Sequence, residues 1–281
     1  MKKVLITGVS QGIGRGIAER FLNEGYVLFG SFNKGKEKAS ELIEQYGESR
    51  VKLFGPYDFT NLNDSVRFAD EVKTIHFDAV VCNAGMFSEN DDFNDFDLED
   101  FTSTMNCNFY TPLIITTALK DSIVKGGSIV IVSSNDAYPG AFSSMSYSIS
   151  KSALLSLMKC LSVNYGSRGV RVNTVAPGAI DTAMNTPEQM EISPYFSPIA
   201  RVGTPEDVAK VVYFLSTEEA GFISGENITI DGGYSIESVL LKSEADPNLS
   251  VLLRTYFADP KFIKVVNEYA DKIGVGRNNE D

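Results

Sequence analysis

Thr7-Gly8-Val9-Ser10-Gln11-Gly12-Ile13-Gly14 follows a short apolar run, Val4 to Ile6, and leads directly into Arg15-Gly16-Ile17-Ala18-Glu19-Arg20-Phe21-Leu22. The second segment carries its apolar residues at helical spacing, so the octapeptide is a strand-to-helix turn. Glycines at such a turn let a backbone approach a pyrophosphate, and the helix N-terminus supplies free N–H groups and a positive dipole to hold it. Further along, Val27 to Phe29, Val51 to Phe54, Ala79 to Val81, Ser128 to Val132, Val170 to Val175 and Asn227 to Ile230 are short apolar runs separated by helix-period segments. With Val4 to Ile6 they make seven strand candidates. Alternation of this kind predicts an α/β fold with a doubly wound, largely parallel Rossmann-type sheet of about seven strands.

The composition excludes several classes of function. The chain has 281 residues, 43% of them hydrophobic, which is enough to bury a core. Its 37 acidic residues outnumber 25 basic ones, for a net charge of -12. That field repels phosphate backbones and anionic lipid, so nucleic acid is not an expected partner. No run approaches the roughly 18 apolar residues of a membrane span, and Met1 to Gly8 reads as a first strand rather than a secretion signal. Cys82, Cys107 and Cys160 are odd in number and lack metal-ligand spacing, and His76 is the only histidine. Neither a disulfide framework nor a metal site is expected, and a reducing cytoplasm is the expected location. The acidic stretch from Ser88 to Asp100 reads as a solvated loop running into a helix.

After Gly233 the alternation stops. Ala-Asp-Pro occurs at Ala245-Asp246-Pro247 and again at Ala258-Asp259-Pro260, each placing an N-cap acid before a proline suited to the first helical position. Leu249, Leu252, Leu253, Tyr256 and Phe257 would line one helix, and Phe262, Val266, Tyr269 and Ile273 the other. The expected organisation is a catalytic domain over residues 1–233 and a helical extension over 234–281. Stripes this short need a partner, either the main domain or a neighbouring subunit.

The spacing T-G-x-x-x-G-I-G resembles that of the classical short-chain dehydrogenase/reductase family, and the resemblance extends over residues 3 to 233. Cys82-Asn83-Ala84-Gly85 resembles the family's N-N-A-G, with Cys for the first Asn. Asp58, followed by Phe59, matches the acid placed beside the adenine. Pro177, Gly178, Ile180 and Thr182 resemble the segment that wraps the nicotinamide amide. Arg201-Val202-Gly203-Thr204-Pro205 through Gly225 to Asp231-Gly232-Gly233 resembles the C-terminal signature. The resemblance implies a nicotinamide cofactor held by Gly8, Ser10, Gln11, Gly12, Ile13 and Gly14, together with Asn83, Ala84 and Gly85. It also implies a homotetramer.

The choice of cofactor is set at the tip of the second strand, where a carboxylate would accept from a ribose 2′-hydroxyl and a cation would receive a 2′-phosphate. Ser31, Phe32 and Asn33 stand there without an acid, and Lys34, Lys36 and Lys38 follow. NADP(H) is therefore expected over NAD(H).

Tyr147 and Lys151 are four residues apart, which places a phenol and an ammonium on one helix face. A free phenol titrates near 10. An ammonium about 4 Å away contributes on the order of 4 kcal/mol at an effective dielectric of about 20, enough to bring the phenol near neutrality. By resemblance, Ser134, 13 residues before Tyr147, is the serine that polarises the substrate oxygen, and Asn106 is the fourth member of the catalytic tetrad. Asn108 is the alternative if the helix register differs by two. Lys151 also matches the residue that bonds the nicotinamide ribose. Phe87, Tyr138, Phe142, Met184, Met190, Tyr195 and Phe196 suit an apolar ketone or secondary alcohol such as a steroid, bile acid, aliphatic or acyl chain. The family's beta-ketoacyl-carrier-protein reductases stay open as an alternative, with their acidic carrier partner disfavoured but not excluded by the net charge. The competing class is a catalytically silent dinucleotide sensor or scaffold acting through the C-terminal helices.

Overall fold

The computed structural model describes residues 1–88, 96–140, 144–238 and 251. The chain divides into two compact units, Met1–Ser235 and Ile236–Asp281. The first is described below. The segments expected to form the two Asp-Pro-capped helices (Val251 apart), Phe142 and residues 89–95 of the acidic stretch lie outside the described residues.

Seven strands, β1 (Lys3–Ile6), β2 (Val27–Ser31), β3 (Val51–Phe54), β4 (Phe77–Cys82), β5 (Ile123–Val132), β6 (Arg171–Pro177) and β7 (Asn227–Ile230), form one sheet in the order β3-β2-β1-β4-β5-β6-β7. All pairings are parallel. Each apolar run of the sequence is a strand, because a parallel sheet covered on both faces buries side chains in both directions. Along β1 this is explicit: Val4 and Ile6 enter one core and Leu5 the other.

Helices α1 (Gly12–Asn23), α2 (Lys36–Tyr46), α3 (Leu62–Val72), α4 (Leu98–Met105), α5 (Thr111–Ala118), α6 (Met145–Gly166), α7 (Pro187–Ile192) and α8 (Pro205–Ser216) complete the unit. α1 and α8 pack on one face through Ile17, Ala18, Phe21 and Val208, Ala209, Val212, Leu215. They approach closely where Gly16 meets Pro205; a Cβ there would lie 2.9 Å from the proline side chain. The opposite face is covered by Phe68, Ala69 and Val72 of α3, Ile115 of α5, and Leu154, Leu157, Met158 and Leu161 of α6. Each fully buried Phe or Leu contributes roughly 1.5–3 kcal/mol before the cost of ordering the chain.

α4 and α5 are joined by a π-helical segment, Asn106–Tyr110. This wide turn rotates the residues within it relative to an unbroken α-helix. No described helix is long and apolar enough to cross a membrane.

Candidate active site

The strand order reverses between β1 and β4, and at the carboxyl ends of the strands there lies a cleft of about 1480 Å³. Crevices at such reversal points are where open α/β sheets bind ligands. The glycine turn forms one wall. Gly8 and Gly12 have φ values of +76° and +57°, which side-chain-bearing residues rarely adopt. The main chain of β2 secures the turn, with Gly8 N and Val9 N both donating to the Ser31 carbonyl at 3.0 Å. Asn83 secures it from β4: its Nδ2 donates to the Thr7 and Gly8 carbonyls at 2.9 and 3.2 Å. The Thr7 hydroxyl accepts from the Asn83 and Ala84 N–H groups in return. Asn83 is thus chiefly a brace for the turn.

Gln11 occupies the N-cap of α1 and makes no side-chain cap hydrogen bond. Asn61, Asp97, Thr186 and Thr204 cap α3, α4, α7 and α8, whereas α2, α5 and α6, like α1, have no side-chain cap. The first N–H groups of a helix have no partner within it. Those of α1, on Gly12, Ile13 and Gly14, open onto the cleft. This donor set fits the pyrophosphate of a dinucleotide. Every other cofactor residue expected from the sequence lines the same cleft: Ser10, Phe32, Asn33, Lys34, Asp58, Phe59, Ala84, Gly85, Pro177, Gly178, Ile180 and Thr182. Thr182 reaches across it, its Cγ2 being 3.3 Å from where a Gly12 Cβ would stand. Of the lysines after β2, Lys34 and Lys38 line the cleft and Lys36 does not; Glu37, which the sequence reading passed over, also lines it.

Ser134, Tyr147 and Lys151 meet at the far end. Ser134 leaves β5 as the N-cap of a short 3-10 turn, and its hydroxyl is hydrogen-bonded with Tyr147. Lys151 lies one turn beyond Tyr147 on α6, with its Nζ 5.4 Å from the tyrosine ring centre. Both side chains are buried. Lys151 Nζ donates to the Val132 carbonyl at 3.0 Å.

Two expectations need correction here. Burial, only partly offset by the Ser134 hydrogen bond, pushes the Tyr147 phenol up to about 12, and burial brings the Lys151 ammonium down to about 8. The expected lowering of the phenol fails because the desolvation that would strengthen an ion pair also penalises each charge. The second correction concerns the asparagine. Asn106 is turned away from the lysine, and its Nδ2 donates to the Thr60 carbonyl at 2.8 Å. Asn108 faces the cluster instead, because the π-turn shifts the helical register. Its Oδ1 accepts from Met86 N at 2.8 Å, and its Nδ2 donates to the Met86 carbonyl and the Ser150 hydroxyl at 2.9 and 3.0 Å. A Cβ on Gly85 would stand 3.3 Å from both Asn108 Oδ1 and Lys151 Nζ.

On the substrate side, Phe87 packs edge-on against Tyr147 with ring centres 5.2 Å apart, and Met184 and Phe196 line the cleft with it. Met190 and Tyr195 are not among the lining residues, nor is Tyr138, whose hydroxyl is bonded to Thr229 and Asn227 of β7. Sequence reasoning missed Asn135, Asp136, Gln189, Ile192, Ser193 and Tyr234, all at the cleft. Asn135 and Asp136 had a signal, their positions directly after Ser134.

Residues 8–235 match the family model described as enoyl-(acyl carrier protein) reductase. The glucose 1-dehydrogenase of Gluconobacter oxydans is 31% identical over 257 residues, covering 84% of this chain and 92% of that protein. The 3-oxoacyl-(acyl-carrier-protein) reductase of Aquifex aeolicus is 33% identical over 243 residues, covering 83% and 96%. A short-chain dehydrogenase from Burkholderia cenocepacia, solved in complex with NADP, superposes with a TM-score of 0.77 at 30% identity, covering 83% and 97%. The uncapped glycine turn, the reversed strand order and these likenesses agree, and the chain belongs to the short-chain dehydrogenase/reductase family of oxidoreductases.

Proposed function

We propose that this protein is an NADP(H)-preferring enzyme that interconverts a carbonyl and a secondary alcohol, with Tyr147 as the acid/base. The observation that carries this reading is the convergence of Ser134, Tyr147 and Lys151 on the cleft that the glycine turn opens. A bound nicotinamide supplies or accepts the hydride there. Tyr147 gives its proton to the substrate oxygen as negative charge develops on it. An alkoxide is a stronger base than a phenolate, so a phenol held near 12 is a competent donor to the oxygen of a carbonyl being reduced. Ser134 orients the substrate oxygen, and Lys151 would hold the nicotinamide ribose. Asn108 is a positioning residue, tying the Gly85–Met86 segment to α6 beside Lys151.

Lys34 and Lys38 beside Asn33, with no Asp or Glu at the β2 tip itself, support a 2′-phosphate, as does the NADP-bound neighbour. Phe87, Met184 and Phe196 support a substrate with an apolar face. Exposed Val163 and Phe222 support a homo-oligomer, which we take to be a tetramer, working in the cytoplasm. No observation favours the silent sensor. The test is calorimetric titration with NADPH and NADH, followed by carbonyl reduction by wild type and Tyr147→Phe. NADPH is expected to bind at least several-fold more tightly, and Tyr147→Phe to lose turnover while keeping cofactor affinity. Equal affinities would overturn the preference, and substantial turnover by the variant would overturn the mechanism.

A further inference from the structure

Among the described residues, Asp136 is the one acidic side chain at the Ser134–Tyr147 end of the cleft that the mechanism above does not use. It sits on the short turn Asn135–Ala137 that follows β5, and it lines the cleft. Ser134 Oγ donates to Asp136 Oδ2 at 3.3 Å and accepts from Asp136 N at 3.1 Å. The same serine is near enough to Tyr147 to favour the charged form of its phenol, so both the phenol and the Asp136 carboxylate draw on one hydroxyl.

A hydroxyl has a single proton. While Ser134 gives it to Asp136, Ser134 has none to give a carbonyl oxygen. A ligand that reached the carboxylate with a donor of its own would replace the serine there and free its proton for the carbonyl. Two oxygens on neighbouring carbon atoms lie about one hydrogen-bond length apart, comparable to the Ser134–Asp136 separation. An oxygen seated on Ser134 and Tyr147 would thus bring a hydroxyl on the adjacent carbon to the carboxylate, whose two oxygens offer about four acceptor sites.

We propose that Asp136 is a specificity-determining residue and that the substrate is an α-hydroxy ketone, or in the reverse direction a vicinal diol, whose neighbouring hydroxyl donates to the Asp136 carboxylate. The inference rests on the oxidoreductase reading and names its substrate class. The surroundings agree with it. The carboxylate is close enough to the site to raise both the Tyr147 phenol and the Lys151 ammonium, and its own carboxyl is raised by burial more than its Ser134 bond and the Lys151 charge lower it. Asp136 is exposed at the cleft wall, so its carboxylate is open to a donor brought by the ligand, and a hydrogen bond to a charged acceptor is stronger than one between neutral groups. The apolar wall of Phe87, Met184 and Phe196 would take the carbon framework while Asp136 takes the hydroxyl.

The test compares 2-hydroxycyclohexanone with cyclohexanone, using wild type, Asp136→Asn and Asp136→Ala, with NADPH binding measured on each to show that the cleft is intact. Asn keeps the side-chain shape but loses the charge. Wild type is expected to prefer the hydroxy ketone in kcat/KM by about tenfold to a hundredfold, the worth of one hydrogen bond to a charged group. Asp136→Ala should bring the ratio of the two substrates close to one, and Asp136→Asn, whose amide oxygen still accepts but carries no charge, should fall between Ala and wild type. Turnover of both ketones by wild type without preference, or a wild-type preference that survives in Asp136→Ala, overturns the inference and leaves the oxidoreductase reading standing. Failure to turn over these two ketones while other ketones are reduced also overturns the inference alone. Failure with every carbonyl compound overturns both.

Discussion

Replacing Asn108 by Ala should harm this protein far more than replacing Asn106 by Ala, although the two stand two residues apart and the sequence alone ranks Asn106 first. Asn108 is buried and makes three hydrogen bonds, two with the Met86 main chain and one to Ser150. Removing its amide strands an N–H and a carbonyl on Met86 and the acceptor capacity of Ser150. At roughly 1–3 kcal/mol for each fully buried unsatisfied group, and less where Met86 reaches water, the loss is about 2–4 kcal/mol. Asn106 makes one side-chain bond, to Thr60, in a partly buried setting, so its removal costs about 0.5–1.5 kcal/mol. The functional difference should be larger. Asn108 holds the segment whose Gly85 stands beside Lys151, where a Cβ would lie 3.3 Å from the amine, and a shift there crowds the amine at the cleft wall. A misplaced group costs rate steeply, so kcat/KM should fall at least about tenfold in Asn108→Ala and less than about threefold in Asn106→Ala. Urea unfolding monitored by circular dichroism and steady-state carbonyl reduction measure the two effects. Equal losses in the variants, or the greater loss in Asn106→Ala, would refute the argument from the π-turn.

Two further perturbations probe the cofactor and chemical ends. Gly14→Ala would place a Cβ 2.0 Å from the Gly8 carbonyl oxygen and 2.4 Å from Asn83 Nδ2, so α1 must move away from the turn. Overpacking of this kind costs about 1–3 kcal/mol, and NADPH affinity by calorimetry should fall at least about tenfold. Gly166→Ala, where nothing lies within 4 Å of the new atom, serves as the control that stays near wild type; wild-type affinity in Gly14→Ala would contradict the cradle. In the cofactor-free protein, the tyrosinate absorbance difference between wild type and Tyr147→Phe should stay flat through pH 10 and rise towards pH 12. Because the folded value lies above the unfolded one, the phenol causes no instability below pH 10 and destabilises the fold as pH rises towards 12. A step in the difference spectrum near neutral pH would show that the ammonium outweighs burial after all.

Much of the molecule could be read without coordinates. The seven strands follow from apolar runs of the right length, the glycine turn from glycine spacing at the first strand-helix junction, and the Tyr147–Lys151 pairing from the period of one helix. These are local properties, fixed by backbone sterics and by which side chains must leave water. Other features had no local signature. The turn that exchanges Asn106 for Asn108 is a departure from the helical period that residue types do not announce, and it is held by partners on other elements, Met86 and Ser150. The direction in which Tyr147 and Lys151 titrate depends on how much protein surrounds both, and a spacing rule supplies only their separation. Asp136 reads in sequence as a loop acid; its place beside Ser134 and at the cleft wall emerges only when β5, α6 and the loop after β6 close around one space. Short-range order was written in the chain, whereas protonation, hydrogen-bond partners and the shape presented to a ligand are sums over neighbours distant in sequence, and those were decided by the tertiary fold.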